Sequence, residues 1–485
     1  MLVCPLDCWD ICQMEKKGDK FIPFKDGITN GFLCYKLNNY FKYSKYNKEF
    51  NLDEVEKVLK STQPEKILFL KGSGNLGIIQ NVTKLFFEKL GVTFAVGSSC
   101  DGIGEKGIIK AKGDSQILSL EMIKKSKNII IWGRNPYVTN THLIPYLKNK
   151  KVITIDVINT KTAKNSDVFY QIKPNTDVFL AKYLITKNKN YLKITGLDEI
   201  SELEKILDNS IILLGLGVAK NSYGDKTTHT IYALNRPTAF LGNSMTGLNN
   251  PFKVTPKNQM SLFEINWKKI DVVFIQGGNP LVSLPNFKIP KEKKVIVFGK
   301  YLDKTAKRAD IFIPTKDFYA KNDIRSSYFH EYVFKNEKVE DDFGISEFEF
   351  TQEMFKRFKF DGLLSEVEYI KMIYKSKREI KKNLKKVEFI DFEIDYQNCD
   401  YIITAKNRTS LNSQFKTDKF AYMNDYEGKA ILQTEIGSLE VEVKRDNNIP
   451  KNVVFMYAGS EINKILSSKG ENATYSQKVK ICKKL

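Results

Sequence analysis

Between about residues 66 and 314 the chain alternates short apolar runs with amphipathic stretches. The runs read "KILFLKG", "NIIIWGRNP", "KVITIDV", "SIILLGLG", "DVVFIQGGNP" and "KVIVFGKY". Uninterrupted apolar segments of strand length that end in glycine, with helix-like stretches such as "GIIQNVTKLFFEKLG" between them, mark strands buried on both faces of a parallel sheet. There are too many for one minimal unit, so the pattern predicts an α/β protein with two Rossmann-like lobes. The first 48 residues are aromatic and polar without long periodicity, as expected of a small irregular cap. From about residue 391 the period changes to two, in "AILQTEIGSLEVEVKRD", predicting a C-terminal domain built as a β-barrel. The lysine-rich run between, "KSKREIKKNLKK" (375–386), reads as the solvated face of a connecting helix. The expected organisation is a cap over 1–48, a first lobe over 49–100 and 211–390, a second lobe over 101–210, and a barrel over 391–485. No internal repeat stands out.

Composition narrows this picture in three ways. A chain of 485 residues, 42% hydrophobic, has ample core material, yet no apolar run reaches the roughly 18 residues of a membrane span. With no leader-like segment at its start, it reads as soluble and cytoplasmic. The formal charge is +20, but the 77 basic residues are spread along the chain and are mostly lysine. They form no basic and aromatic module that would read a nucleic acid, and they suit a docking surface for an acidic electron carrier. Only His142, His229 and His330 are present, which argues against metal sites built on several histidines.

"GSGNLG" places Gly72, Ser73, Gly74, Asn75 and Gly77 between a strand and a helix. Glycines there let backbone N–H groups approach a phosphate. NAD binding would also need an acid at the end of the next strand, and "VTFAVGSSC" ends in glycine and serine. The loop is therefore read as a phosphate or cofactor contact without NAD. A better-placed acid is Asp156, at the end of "VITIDV", with Thr160 beyond it and Asp177 in "PNTD". A carboxylate at that edge of a doubly wound sheet faces a sugar or a base, or else serves its own turn. Two lobes of this kind suggest two nucleotides, or one cofactor with two nucleotide tails.

"CPLDCWDIC" and "GFLCYKL" supply Cys4, Cys8, Cys12 and Cys34, spaced C-x3-C-x3-C-x21-C. Four thiolates so spaced can wrap one [4Fe–4S] cube. Structural zinc more often shows paired C-x2-C knuckles, and a redox disulfide C-x-x-C.

With these motifs in place, the chain resembles the molybdopterin oxidoreductase family, of the DMSO-reductase type, whose members carry molybdenum or tungsten on two pterin guanine dinucleotides. The cysteine motif, "GSGNLGIIQNVTKLFFEKLG", "IIIWGRNP", "VITIDVINTKTAKNSD", "NTD", "FLGNSMTGLNN", "QGGNP", "KTAKRADIFIPTKDFY" and "LNSQF" follow in the family's order. The resemblance implies a small N-terminal iron–sulfur domain, two pseudo-symmetric lobes each holding one dinucleotide with the metal between them, and a closing barrel. It implies that Asn135, Asp156, Thr160 and Asp177 contact one guanosine end, that Gly215, Gly217, Gly278 and Asn279 line the other lobe's site, and that Gln414 and Asn463 contribute from the barrel. Lys36 matches the lysine between cluster and pterin, and Cys100 in "VGSSCDGIGEKG" matches the protein ligand to the metal. A thiolate there is a soft ligand suited to such a centre; a buried, inert cysteine is the structural alternative.

The resemblance also implies two-electron or oxygen-atom transfer on a small substrate, with electrons passed to an iron–sulfur subunit or a ferredoxin-like carrier. Asp101 stands where formate dehydrogenases usually carry histidine, which directs expectation towards a sulfur compound or an oxyanion. Three departures accompany this: a compact segment between Asp177 and Ile211, Ala320 where many relatives carry glutamate, and Asn175 where glycine is usual. They leave a second reading open, a pterin-free electron-transfer or scaffold subunit.

Overall fold

The computed structural model describes residues 1–6, 8–114, 117–240, 245–380, 385–411, 413–415, 418–459, 461–469 and 472–483. Residues 241–244 of "FLGNSMTGLNN" and Asn412 of "LNSQF" lie outside the described residues. Two compact units result, one of Met1–Gly97, Gly247–Ser327 and Tyr332–Arg378, the other of Ser98–Thr246, Tyr328–Glu331 and Glu379–Leu485.

In the first unit six strands pair in parallel, in the order Asn258–Ser261, Thr93–Val96, Ile67–Lys71, Val272–Gln276, Lys294–Gly299 and Ile311–Pro314. The central strands are buried on both faces, which explains why their sequences do not alternate. Phe69, Phe86, Phe87, Phe274, Phe298 and Phe350 fill one face, with the Phe69 and Phe87 rings stacked at 4.1 Å. The helix Thr83–Leu90 stops at Gly91, whose φ of 84° suits glycine. The helix Glu347–Arg357 starts at Ser346, which exchanges hydrogen bonds with Glu349. Before the sheet, Leu2–Val3, Gln13–Lys17 and Lys20–Pro23 form a small antiparallel sheet.

The second unit holds a five-stranded parallel sheet in the order Thr238–Ala239, Ser210–Leu214, Asn128–Trp132, Lys151–Asp156 and Val168–Gln171. Its C-terminal part is a seven-stranded mixed sheet running from Ser476–Lys478 at one edge to Lys480–Lys483 at the other. Those edge strands are consecutive in the chain with Val479 between them, so the sheet curls into a nearly closed barrel. The period-two segment forms its hairpin, with Ala430 opposite Val441 and Leu432 opposite Leu439 on the buried side.

Two expectations are corrected. The strand Ser210–Leu214 pairs with Asn128–Trp132, so the start of the segment 211–390 belongs to the second sheet, not the first. The described residues of 375–386 form no helix. The helix before them ends at Ile373, Lys377 bridges to Tyr332, and Arg378 is buried with its guanidinium on the Ser327 carbonyl. A run with a buried arginine at its middle cannot be a solvated helix face.

Although no repeat stands out in the sequence, the two parallel sheets are built to one plan. Gly72 N–H donates to Gln276 O at 2.8 Å, as Gly215 N–H does to Trp132 O at 2.8 Å. Gly74 N–H reaches Gly277 O at 2.9 Å, as Gly217 N–H reaches Gly133 O at 3.2 Å. Val295 N–H donates to the Asp310 carboxylate at 2.7 Å, and Val152 N–H to the Asp167 carboxylate at 2.7 Å. The repeat is carried by backbone geometry and a few small polar residues, while the apolar residues differ, which hides it in the sequence.

Candidate active site

Each sheet ends its central strand in the same turn. Asn135 and Asn279 follow glycines in the left-handed region, Gly133 at φ 60° and Gly277 at φ 59°, and each precedes a proline that opens a short helix. The side-chain oxygen of Asn135 accepts from Thr162 Oγ1 at 2.7 Å, and that of Asn279 from Thr305 Oγ1 at 2.7 Å. The asparagines thus pin the next crossover and leave the loops from neighbouring strands crossing tightly. A Cβ on Gly72 would lie 2.5 Å from Gly277 O, and one on Gly215 would lie 2.0 Å from Gly133 O. The first need for these glycines is that crossing of two backbones. Gly77 of the G-x-G-x-x-G loop faces the Asp323 carboxylate instead, and the loop runs into a 3-10 turn, Ile79–Val82, before its helix begins.

Gly72, Ser73, Gly74, Asn75, Gly278 and Asn279 therefore group in the first unit. Gly215 and Gly217, expected beside Gly278, group instead with Asn135, Asp156, Thr160 and Asp177, because their strand belongs to the second sheet.

Asp156 accepts from the N–H groups of Val157 and Ile158 at 2.7 and 3.3 Å. Desolvation, helped by the charge of Asp177, pushes its carboxyl up to about 7. Asp177 is buried and accepts from Trp132 Nε1 at 2.8 Å; burial raises it to about 6. Thr160 Oγ1 accepts from Ala163 N–H at 3.2 Å, fixing the loop beyond. Asn175 has φ 60°, a conformation that asparagine tolerates almost as glycine does, which accounts for its replacing glycine. The site so made offers two poorly solvated carboxyl groups that a ligand's N–H donors would satisfy.

Cys4 and Cys12 are buried, and Cys8 and Cys34 half-buried. None of the seven cysteines is in a disulfide. Burial pushes the thiols of Cys4, Cys12 and Cys34 up, and a hydrogen bond with Cys4 does so at Cys8; each of the four also feels others of the set. Among the described residues no three His, Cys, Asp or Glu side chains converge on one ion. The four thiols are near enough for each to feel another of the set, and four thiolates are a donor set that an iron–sulfur cluster takes. Lys36 lies on the short helix Tyr35–Asn38 that Cys34 opens, and its charge favours the Cys34 thiolate.

In the second unit Cys100 is half-buried, just ahead of the helix Gly102–Lys112, and its N–H donates to Ser98 Oγ at 3.2 Å. Ser98 Oγ is also 2.8 Å from the Asp101 carboxylate. Lys220 donates to Ser99 O at 2.7 Å and lies 4.2 Å from the Tyr475 ring centre. Burial pushes the Lys220 ammonium down, opposed by the charges of Cys100 and Asp101. A cation and a helix N-terminus beside one thiol suit a thiolate ligand. Gln414 lies on the short strand Gln414–Phe415, and Asn463 is buried in a 3-10 turn, Glu461–Lys464. Lys220, Trp132 and Tyr475 were not evident from the sequence. The one available signal was that "GVAKNS" follows a strand ending in glycine.

No helix among the described residues is long and apolar enough to cross a membrane. The probable oxidoreductases YyaE and YoaE of Bacillus subtilis (strain 168) are 25% and 23% identical to this chain, over 69% and 71% of it. The chain spans 65% and 66% of their lengths. The F420-dependent formate dehydrogenase subunit alpha of Methanocaldococcus jannaschii is 27% identical, over 40% of this chain and 42% of that one. The acetylene hydratase from Pelobacter acetylenicus superposes with a TM-score of 0.76 over 99% of each chain at 14% identity, which establishes a shared mixed α/β fold. The sequence profile of the molybdopterin oxidoreductases matches residues 51–339, more than half of the whole. Together with the two parallel sheets and the barrel-like sheet just described, that match places the chain in the molybdopterin oxidoreductase family.

Proposed function

We propose that this chain is an oxidoreductase that holds a Mo- or W-bis(pterin guanine dinucleotide) and one [4Fe–4S] cluster. The observation that carries the reading is Cys100, kept at a helix-opening loop against the buried cation Lys220. When bound, the pterin-held metal supplies two-electron or oxygen-atom transfer to a small substrate, a sulfur compound or an oxyanion. Cys100 would hold the metal as a thiolate, and Lys220 would favour that thiolate without a proton. Asp156 and Asp177 would accept from the N–H edge of one guanine, with Asn135, Thr160, Gly215 and Gly217 shaping its loops. Gly72, Ser73, Gly74, Asn75, Gly278 and Asn279 would shape the second tail's seat, and Gln414 and Asn463 would add contacts from the barrel. Cys4, Cys8, Cys12 and Cys34 would hold the cluster, with Lys36 favouring electron passage to an iron–sulfur subunit or ferredoxin-like carrier.

A second reading is a pterin-free electron-transfer or scaffold subunit, favoured by Ala320 standing where glutamate is expected from the family resemblance. Elemental and nucleotide analysis of anaerobically purified protein separates them. The first reading expects about four Fe, one Mo or W and two guanine nucleotides per chain; iron alone, from a host that makes the cofactor, supports the second. Under the first reading Cys100→Ser abolishes turnover while the iron content stays unchanged.

A further inference from the structure

Arg325 is an anomaly in the first unit. It lies on the strand Asp323–Ser326 and is 1% exposed, among the largest fully buried side chains. Its Nε donates to Asn75 O at 3.1 Å and its guanidinium lies 5.5 Å from the Phe318 ring centre, but Nη1 and Nη2 have no hydrogen-bond partner among the described residues. A buried cation without partners costs several kcal/mol unless an anion completes it.

Two carboxylates whose charge acts on Arg325, Asp323 and Glu347, are already engaged. Asp323 accepts from the N–H groups of Ile79 and Ile324 at 2.8 and 2.7 Å. Glu347 takes the ammonium of Lys321 at 2.8 Å. Lys71, in electrostatic contact with both, is pushed down to about 7 by desolvation.

The open edge of Arg325 is located by two tethers. Asn336, opposite Asp323 across the hairpin, accepts from Val3 N–H at 2.9 Å. Ser327, two residues beyond Arg325, donates from Oγ to Trp9 O at 2.8 Å. Val3 and Trp9, which flank Cys4 and Cys8 in the sequence, are therefore fastened on either side of Arg325. Cys4 is among the groups whose charge acts on the guanidinium.

We propose that Arg325 is an electrostatic anchor for the iron–sulfur cluster, its two open N–H edges serving the cluster on the side of Cys4, where they stabilise the reduced form. The inference rests on the reading of Cys4, Cys8, Cys12 and Cys34 as cluster ligands. Four irons, four sulfides and four thiolates sum to a net anion, one charge more negative after reduction. A fixed buried cation therefore favours the reduced form and raises the potential.

The test is an EPR-monitored redox titration of the holoprotein with dithionite as reductant, on the wild type, Arg325→Met and Arg325→Lys, alongside iron and guanine analysis. In Arg325→Met the ratio of reduced to oxidised cluster at a fixed ambient potential should fall about tenfold, equivalent to 59 mV for a one-electron couple. Arg325→Lys, which keeps the charge, should recover most of that ratio. Loss of iron in Arg325→Met with retention in Arg325→Lys also supports the anchor. The proposal is overturned if Arg325→Met keeps its iron and titrates as wild type, with or without loss of guanine. It is equally overturned if both variants lose iron, since the role is then steric. A wild type with no cluster removes the underlying reading as well, and iron analysis shows that before any titration.

Discussion

Asp156 ends its strand with a carboxylate solvated mainly by two backbone N–H groups, and its proton is held to about pH 7 rather than the roughly 3.9 of a free side chain. Between those values the folded protein binds a proton that the unfolded chain has released, so stability declines as pH rises from about 4 to about 7 and is level beyond. In pterin-free protein Asp156→Asn should therefore raise the melting temperature at pH 8 and leave it unchanged at pH 4, measured by calorimetry at both. With guanine dinucleotide bound the same substitution should weaken retention of the nucleotide, since a carboxylate acceptor is lost. Asp156 was legible because it closes an apolar run. Arg325 was not, because a lone arginine inside "NDIRSS" carries no spacing. One hint exists in hindsight: the chain uses eight arginines against a large excess of lysine, and Arg134, Arg325 and Arg378 are all buried. Where composition favours lysine, each arginine marks a place where a planar, permanently charged fork is needed.

At the level of elements, the crossing of the Gly72 and Gly277 loops is the tightest constraint on the first sheet's ligand edge. A methyl at Gly72 would meet Gly277 O at 2.5 Å and Gly278 Cα at 2.7 Å, both rigid backbone. Gly72→Ala should cost about 1–3 kcal/mol by overpacking, read from urea unfolding. Gly437→Ala, where nothing lies within 4 Å, should stay within about 0.5 kcal/mol of wild type. The strands and the C-terminal hairpin could be read from periodicity, since burial on one face or two imposes the pattern. Which strand joins which sheet could not be, because "SIILLGLG" carries no label of its partner. The lysine-rich run failed for a related reason: charge density reports solvent exposure on average, and one buried arginine overrides it.

At the scale of the whole chain, a formal charge of +20 is a long-range field that no single contact describes. Association with the acidic ferredoxin-like carrier proposed above should be steered by that field, so the second-order rate of electron exchange should fall ~10-fold or more between low and physiological ionic strength. Stopped-flow measurement over a salt series checks this; a flat profile would rule out electrostatic steering. The order of domains along the chain was partly legible, in that cap, sheets and barrel follow each other as their periodicities suggested. The interruption of one unit by the other starts near the expected residue 101 but runs on to Thr246 rather than ending at 210, because the strand at Ile211 looks like any other buried strand.

That interruption has a consequence in time. Ile67–Lys71 finds its neighbour in Val272–Gln276, about 200 residues later. At a synthesis rate of about 5–20 residues per second the half-made sheet waits roughly 10–40 s on the ribosome with a central strand unpaired on one side. Ile67, Leu68, Phe69 and Leu70, fully enclosed in the finished protein, are an open apolar edge throughout that interval. The nascent chain is thus a customer for holding chaperones before it is a candidate for cofactor insertion.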